Sequence, residues 1–288
     1  MLGVINVLKP TGWTSSDVVV RVKRLVREKT GDKSIKVGHL GTLDPAGSGV
    51  LPIVIGRATR LFDYYVSCDK LYRATFTFGK TTDTLDSYGK LTDTSNVIPS
   101  RLDIENVLNS FIGEIAQVPP QYSRISVGGA RACDIARSGK EVDIKPRNVV
   151  VYSIDILNYE NGILLLDIRC SGGTYIRSIC RDLATKLNTV AYMSSIIRLE
   201  NKGMMIEDSV TLSELEEDIE KSIISLEDML KDMQKVKLNS FEANRILNGL
   251  TIKSRKINGD YVIIIDDKVF AIARDENNIV KVIIRLWQ

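Results

Sequence analysis

Apolar and polar positions alternate along this chain in two rhythms. Residues 70–79 (Lys-Leu-Tyr-Arg-Ala-Thr-Phe-Thr-Phe-Gly) change character at nearly every step, which predicts a half-buried strand. Residues 149–157 and 163–170 predict a strand pair around Asn161-Gly162, and residues 3–8 a short opening strand. Elsewhere the spacing is helical. Val18, Val19, Val22, Leu25 and Val26 fall on one side of a helix that Ser15 or Ser16 can cap and that runs to about Glu28. Ile104, Val107, Leu108 and Phe111 repeat the pattern behind Ser100. Helices are also predicted over 58–66 and to about Leu187, and acidic helices over 211–233. Beyond them a short helix, Phe241 to Leu247, precedes strands at Tyr261–Ile265, Val269–Ala273 and Val280–Leu286.

One stretch follows neither rhythm. Gly38-His39-Leu40-Gly41-Thr42-Leu43-Asp44-Pro45-Ala46-Gly47-Ser48-Gly49-Val50-Leu51-Pro52 holds too much Gly and Pro for a helix interior or a central strand. It is also too apolar for a solvated loop: Val37, Leu40, Leu43, Val50, Leu51, Ile53, Val54 and Ile55 tie it into a core. Taken alone, Asp44-Pro45-Ala46-Gly47 is a β-turn that its own residues explain, and His39 a structural histidine. A pinned loop carrying one carboxylate and the chain's only imidazole is equally the way a scaffold presents a reactive group.

The longer string decides between these readings. Gly-His-x-Gly-Thr-Leu-Asp-Pro-x-x-x-Gly-Val-Leu-Pro, followed by Gly56-Arg57-Ala58-Thr59-Arg60, closely resembles the signature of the TruB-type tRNA pseudouridine-55 synthases. Further motifs follow in the same order: Lys9-Pro10-x-Gly12-x-Thr14-Ser15, Lys70-x-Tyr72, Thr82-Asp83-Thr84-x-Asp86, Gln117-Val118-Pro119-Pro120, Gly173-Thr174-Tyr175-Ile176-Arg177 and Ala191 to Arg198. Together they cover roughly residues 3–212.

The resemblance implies an α+β fold. A catalytic domain, residues 1–233, has a mixed, largely antiparallel sheet flanked by helices. A small, mostly-β domain similar to PUA modules occupies 235–288. The implied catalytic residues are Asp44, Tyr72 and Arg177. Tyr72 stacks on the target base, and Arg177 pairs with the carboxylate, which a guanidinium can fork onto and orient. The implied substrate-binding residues are His39, Tyr175, Ile196, Arg131, Arg137 and Lys140. The implied partner is the T-arm of tRNA, whose target uridine must be flipped out to be reached. No cofactor or metal, no guide RNA and no membrane are implied, and the protein is expected to be a cytoplasmic monomer. A tRNA-binding or folding protein of the same fold with an idle site is the alternative. An Asp-nucleophile hydrolase lacks a second carboxylate or histidine placed as general base.

Charge adds one thing to this picture. Residues 1–150 carry 21 Lys and Arg against 15 Asp and Glu, and residues 151–288 carry 18 against 21. Within the first part, 124–147 holds six basic residues against three acidic ones in a glycine-broken stretch, which suits a mobile RNA-gripping segment. Two departures from the family lie there: Arg124 where alanine is usual and Cys133 where an aromatic is usual. Lys202 lies in a further departure, Leu199 to Met204. Asp83 and Asp86 read as turn residues. The four cysteines form no C-x-x-C, and with one histidine they predict no zinc site. No apolar run of about 18 residues is present to predict a membrane span.

Overall fold

Thr14 opens the first helix in the structure, a computed structural model that describes residues 1–287. Its hydroxyl accepts the Asp17 amide while the Asp17 carboxylate accepts its own amide, so two orphan donors are satisfied. The helix, α1 (Ser15–Thr30), ends where Gly31 turns left-handed at φ 71°. The cap is therefore Thr14, not Ser15 or Ser16. The Ser15 hydroxyl is engaged elsewhere: it accepts the Leu43 amide and donates to the Leu43 carbonyl, both at 2.8 Å.

The main sheet has nine strands. They are β1 (Gly3–Lys9), β2 (Val37–His39), β3 (Gly47–Ile55), β4 (Lys70–Phe78), β5 (Gly113–Gln117), β6 (Arg147–Glu160), β7 (Ile163–Cys170), β8 (Ala191–Asn201) and β9 (Met204–Met205). The spatial order is β1-β3-β8-β4-β7-β6-β5, with β2 on β3 and β9 on β8. Only the short pairing of β8 with β3, Ile196–Arg198 against Gly47–Gly49, is parallel. That pairing sets the start of β3, just after Asp44, beside the interior of the distant β8. Gly49 makes it possible: at φ 104°, with the Arg198 carbonyl oxygen 2.3 Å from where a Cβ would stand, no side chain fits. The β6–β7 hairpin turns on Asn161 and Gly162, both at positive φ, as their sequence predicts.

The alternation in β4 puts Tyr72, Ala74, Phe76 and Phe78 on its buried face. Against them pack Ile104 and Leu108 of α2 (Arg101–Leu108) and Ile179 and Leu183 of α3 (Ile176–Lys186). Further along the same face of the sheet, Val18, Val22 and Val26 of α1 cover Ile5, Leu51 and Ile53. The predicted helix over 58–66 is a 3₁₀ turn, Gly56–Leu61, running into one α-turn, Phe62–Val66. The acidic stretch 211–233 keeps only the short helices Leu212–Glu217 and Leu226–Met229.

The C-terminal sheet orders β10 (Lys235–Lys237), β11 (Asp260–Ile265), β12 (Lys268–Glu276) and β13 (Ile279–Arg285) consecutively. Its buried residues Val262, Val269, Ile272 and Leu286 share one apolar cluster with Val4, Leu40, Val54 and Leu61. The back of the Gly- and Pro-rich loop is thus covered by the C-terminal sheet. Among the described residues no helix is long and apolar enough to cross a membrane.

Candidate active site

A turn of this composition stays rigid only if its backbone polar groups are answered. Between residues 40 and 47, seven of the eight carbonyls are. The Asn201 amide donates to the Leu40 oxygen at 3.0 Å. The Arg198 guanidinium donates to Gly41 at 3.0 Å and Thr42 at 3.3 Å, and to Val50 beyond the turn at 2.7 Å. The Ser15 hydroxyl serves Leu43, the Gly47 amide serves Asp44 at 3.0 Å, the Gly12 amide serves Pro45 at 2.8 Å, and the Lys9 ammonium serves Gly47. Lys9 and Arg198 are fully buried. Burial pulls the Lys9 ammonium down to about 8.

What this scaffold holds out is the Asp44 carboxylate, at the floor of a cleft of about 510 Å³. Arg177, 4 % exposed on the first turn of α3, reaches it at 2.7 Å. The same guanidinium lies 3.6 Å from Asp86 and donates to the carbonyls of Thr84 at 2.8 Å and Tyr122 at 3.1 Å. Leu85, at the left-handed φ of 61°, turns the chain so that Thr84 and Asp86 both face Arg177. Gln117 fixes the entry to α3: its side-chain amide accepts the Tyr175 amide at 2.8 Å and donates to the Tyr175 carbonyl at 3.1 Å.

Tyr72, Tyr175, Ile196 and Arg137 line the same cleft. Burial raises the phenol pKa of Tyr72, and burial followed by the Asp44 charge raises that of Tyr175, so both rings keep their protons at neutral pH. The cleft thus offers one presented carboxylate, one charged partner that orients it, and two protonated aromatic rings. That set suits an aromatic ring held close to a nucleophile.

The structure does not bring His39, Arg131 or Lys140 to the cleft wall. His39 lies on β2 opposite Ile53, its Nδ1 buried without a partner. Burial first, then the Arg124 and Arg198 charges, depress its pKa to about 4. A histidine whose folded pKa lies below its ordinary value of 6.5 adds stability above that value and loses it as pH falls through about 4. Its ring resonances are therefore expected to stay at their neutral-form shifts down to about pH 5. A proton NMR titration of this sole imidazole with a midpoint near 6.5 would contradict its burial.

Lys9, Ser15, Asp86, Arg198 and Asn201 were not predicted as site residues. Asp86 is both a turn residue and a site residue. Its Oδ1 accepts from the Thr84 hydroxyl at 2.7 Å and the Tyr88 amide at 3.0 Å, while its Oδ2 faces Arg177. Asp86→Asn can keep the first two contacts, while the oxygen that faces Arg177 becomes an uncharged NH2 donor. The turnover rate is expected to drop about 10- to 100-fold with RNA affinity retained, on the scale of a lost charge-assisted contact. Single-turnover kinetics beside a binding curve would check this, and an unchanged rate would remove Asp86 from the site.

Residues 23–176 match the N-terminal domain of the TruB family pseudouridylate synthases. The chain belongs to that family. It is 40% identical over 265 residues to a protein of Clostridium perfringens strain 13 named tRNA pseudouridine synthase B, covering 91% of this chain and 88% of the relative. It is 42% identical over 254 residues to the protein of that name from Caldanaerobacter subterraneus subsp. tengcongensis, covering 88% and 86%. Among solved structures, a chain of a Cbf5-Nop10-Gar1 complex superposes with TM-score 0.74 at 24% identity, over 99% of this chain and 85% of the other. A chain of the archaeal box H/ACA sRNP Nop10-Cbf5 complex gives 0.70 at 25%, over 99% and 86%. The expected α+β fold with its C-terminal PUA-like sheet is the fold of these neighbours. The chain is a pseudouridine synthase.

Proposed function

We propose that this enzyme converts the uridine at position 55, in the T-loop of tRNA, to pseudouridine, with Asp44 as the catalytic carboxylate. The observation that carries the reading is the Asp44–Arg177 pair at 2.7 Å within a cleft walled by Tyr72, Tyr175 and Ile196. The relatives' names supply the nucleic acid. In the reaction the bond from C1′ to N1 of the base breaks, the base turns, and C1′ bonds to C5. The C5 proton leaves and N1 gains one, so atoms and electrons balance without a redox partner. Asp44 holds the reacting centre through this exchange, Arg177 fixes the carboxylate, and Tyr72 stacks on the base once it is flipped out. Residues 1–233 form the catalytic domain and 235–288 an RNA-binding domain in this proposal. The enzyme works in the cytoplasm as a monomer, on tRNA alone and without a guide RNA.

Purified protein, incubated with an unmodified tRNA transcript and no added metal or cofactor, should form pseudouridine at the T-loop uridine. Bound tRNA without product would make the chain an RNA-binding or folding protein instead. Product at another uridine would correct the position alone.

A further inference from the structure

Four arginines line the cleft: two are held inside it, and a third makes only an exposed pair on its own helical turn. Arg177 faces two carboxylates and two carbonyls. Arg198 is buried on three carbonyls. Arg137 pairs with Asp134 at 3.6 Å. The one lysine in the wall, Lys70, donates to the carbonyls of Val66 and Cys68. Arg124 differs. It is exposed, and among the described residues no carboxylate lies within 4.0 Å of its guanidinium.

Its backbone, by contrast, is held on both sides. The Ser123 carbonyl accepts the Cys133 amide at 2.9 Å, and the Ile125 carbonyl accepts the Ala132 amide at 2.8 Å. Ile125 and Ala132 are buried together with Val142 and Ile144. Beside it, Ser123 is 3 % exposed and also lines the cleft. Its hydroxyl makes no hydrogen bond of ordinary geometry, though it lies close enough to the Tyr175 hydroxyl to offset part of that group's upward shift. A guanidinium without an internal partner and a buried hydroxyl in want of one thus stand on adjacent residues of one fixed wall.

We infer that Arg124, with the Ser123 hydroxyl, is the seat of a backbone phosphate of the nucleotide held in the cleft. The inference rests on the functional reading above and deepens it. A phosphodiester carries one full negative charge and accepts two parallel N–H donors, which suits a guanidinium better than an ammonium. Arg177 is shared between Asp44 and Asp86, and Arg198 and Lys70 are turned onto carbonyls, so Arg124 is the cation in the wall that, among the described residues, has neither a carboxylate nor a carbonyl to answer.

The test uses full-length protein and an unmodified tRNA transcript. Arg124→Ala should raise KM about 5- to 20-fold, with the loss falling on KM rather than on kcat. It should also make the slope of log affinity against log salt shallower by about one. Arg124→Lys should restore part of the affinity. The decisive arm places a neutral methylphosphonate at the linkage on either side of the target uridine. One of the two should weaken binding to the wild type and cost nothing further in Arg124→Ala. Equal further losses in both proteins at both linkages, or an unchanged salt slope, would overturn the assignment. The His39 resonance reports that the variant is folded, and its pKa should rise once the Arg124 charge is gone. If the wild type binds the transcript but makes no pseudouridine, the functional reading fails while the binding arms still decide the phosphate seat.

Discussion

Asp44→Asn should leave a folded protein that binds tRNA and makes no measurable pseudouridine. The substitution is nearly isosteric, and the seven answered carbonyls around the turn involve the backbone of residues 40–47, not the Asp44 side chain. The loop should therefore keep its shape. What disappears is the charge that Arg177 meets at 2.7 Å, on a carboxylate to which, among the described residues, its own turn donates no hydrogen bond. On the proposed reading, loss of the catalytic carboxylate from a preorganised site costs on the order of 10⁴-fold or more. The measurement is single-turnover pseudouridine formation beside filter binding of the same transcript. Residual activity within tenfold of wild type would remove Asp44 from the chemistry. Loss of both activity and binding would mean that the Asp44–Arg177 pair supports the fold, with Asp86 and the Thr84 and Tyr122 carbonyls too few to hold the buried guanidinium.

The sequence made the outline of this site legible, for identifiable reasons. Tyr72 could be placed because period-two alternation fixes which side of β4 it occupies. The loop around Asp44 stood out as Gly- and Pro-rich yet flanked by apolar runs, but taken alone its aspartate reads as a turn residue, and its role came from the resemblance. Arg177 lay one turn into a predictable helix, but its meeting with residue 44 came from the resemblance, not from spacing. What stayed hidden were the residues whose partners are carbonyls. Lys9 and Arg198 occupy inward positions on strands, in step with Val7 and Ile196. Pattern reading treats a long cation as solvated, and nothing in a sequence marks a distant carbonyl as an acceptor. An inward cation on an otherwise apolar strand face is nonetheless a signal: it costs too much to bury without a specific task. Ser15 was hidden by a neighbour, because Thr14 took the capping role and freed its hydroxyl for Leu43. Arg131 and Lys140 were drawn from a basic segment that the resemblance implies, and neither its charge nor the resemblance says which way a glycine-broken segment will face.

Arg198→Met should be among the most destabilising single substitutions in this chain. Methionine fills much of the arginine's volume, so the packing loss is modest. The donors are another matter. Without them the Gly41 and Val50 carbonyls lose partners in a buried site, and Thr42 loses one in a partly buried site. Each orphaned carbonyl costs about 1–3 kcal/mol, which for three sums to about 3–9 kcal/mol against a typical total of about 5–15. Urea unfolding should show the midpoint falling by a corresponding fraction with the slope unchanged. Lysine cannot replace arginine here, because three donors on one nitrogen cannot span three carbonyls on two segments, so Arg198→Lys should recover less than half of the loss. Activity should fall further than stability alone explains. A carboxylate displaced by about 1 Å loses on the order of 100-fold in rate, and the displacement persists in molecules that remain folded. Rate constants corrected for the folded fraction separate the two effects. A corrected rate equal to wild type would reduce Arg198 to a stabilising residue. A corrected rate down by two orders of magnitude would show that the residue 157 positions along the chain from Gly41 sets where the carboxylate stands. Such a link closes only when β8 has docked beside β3, so the reactive turn can acquire its shape only in a chain whose sheet is complete.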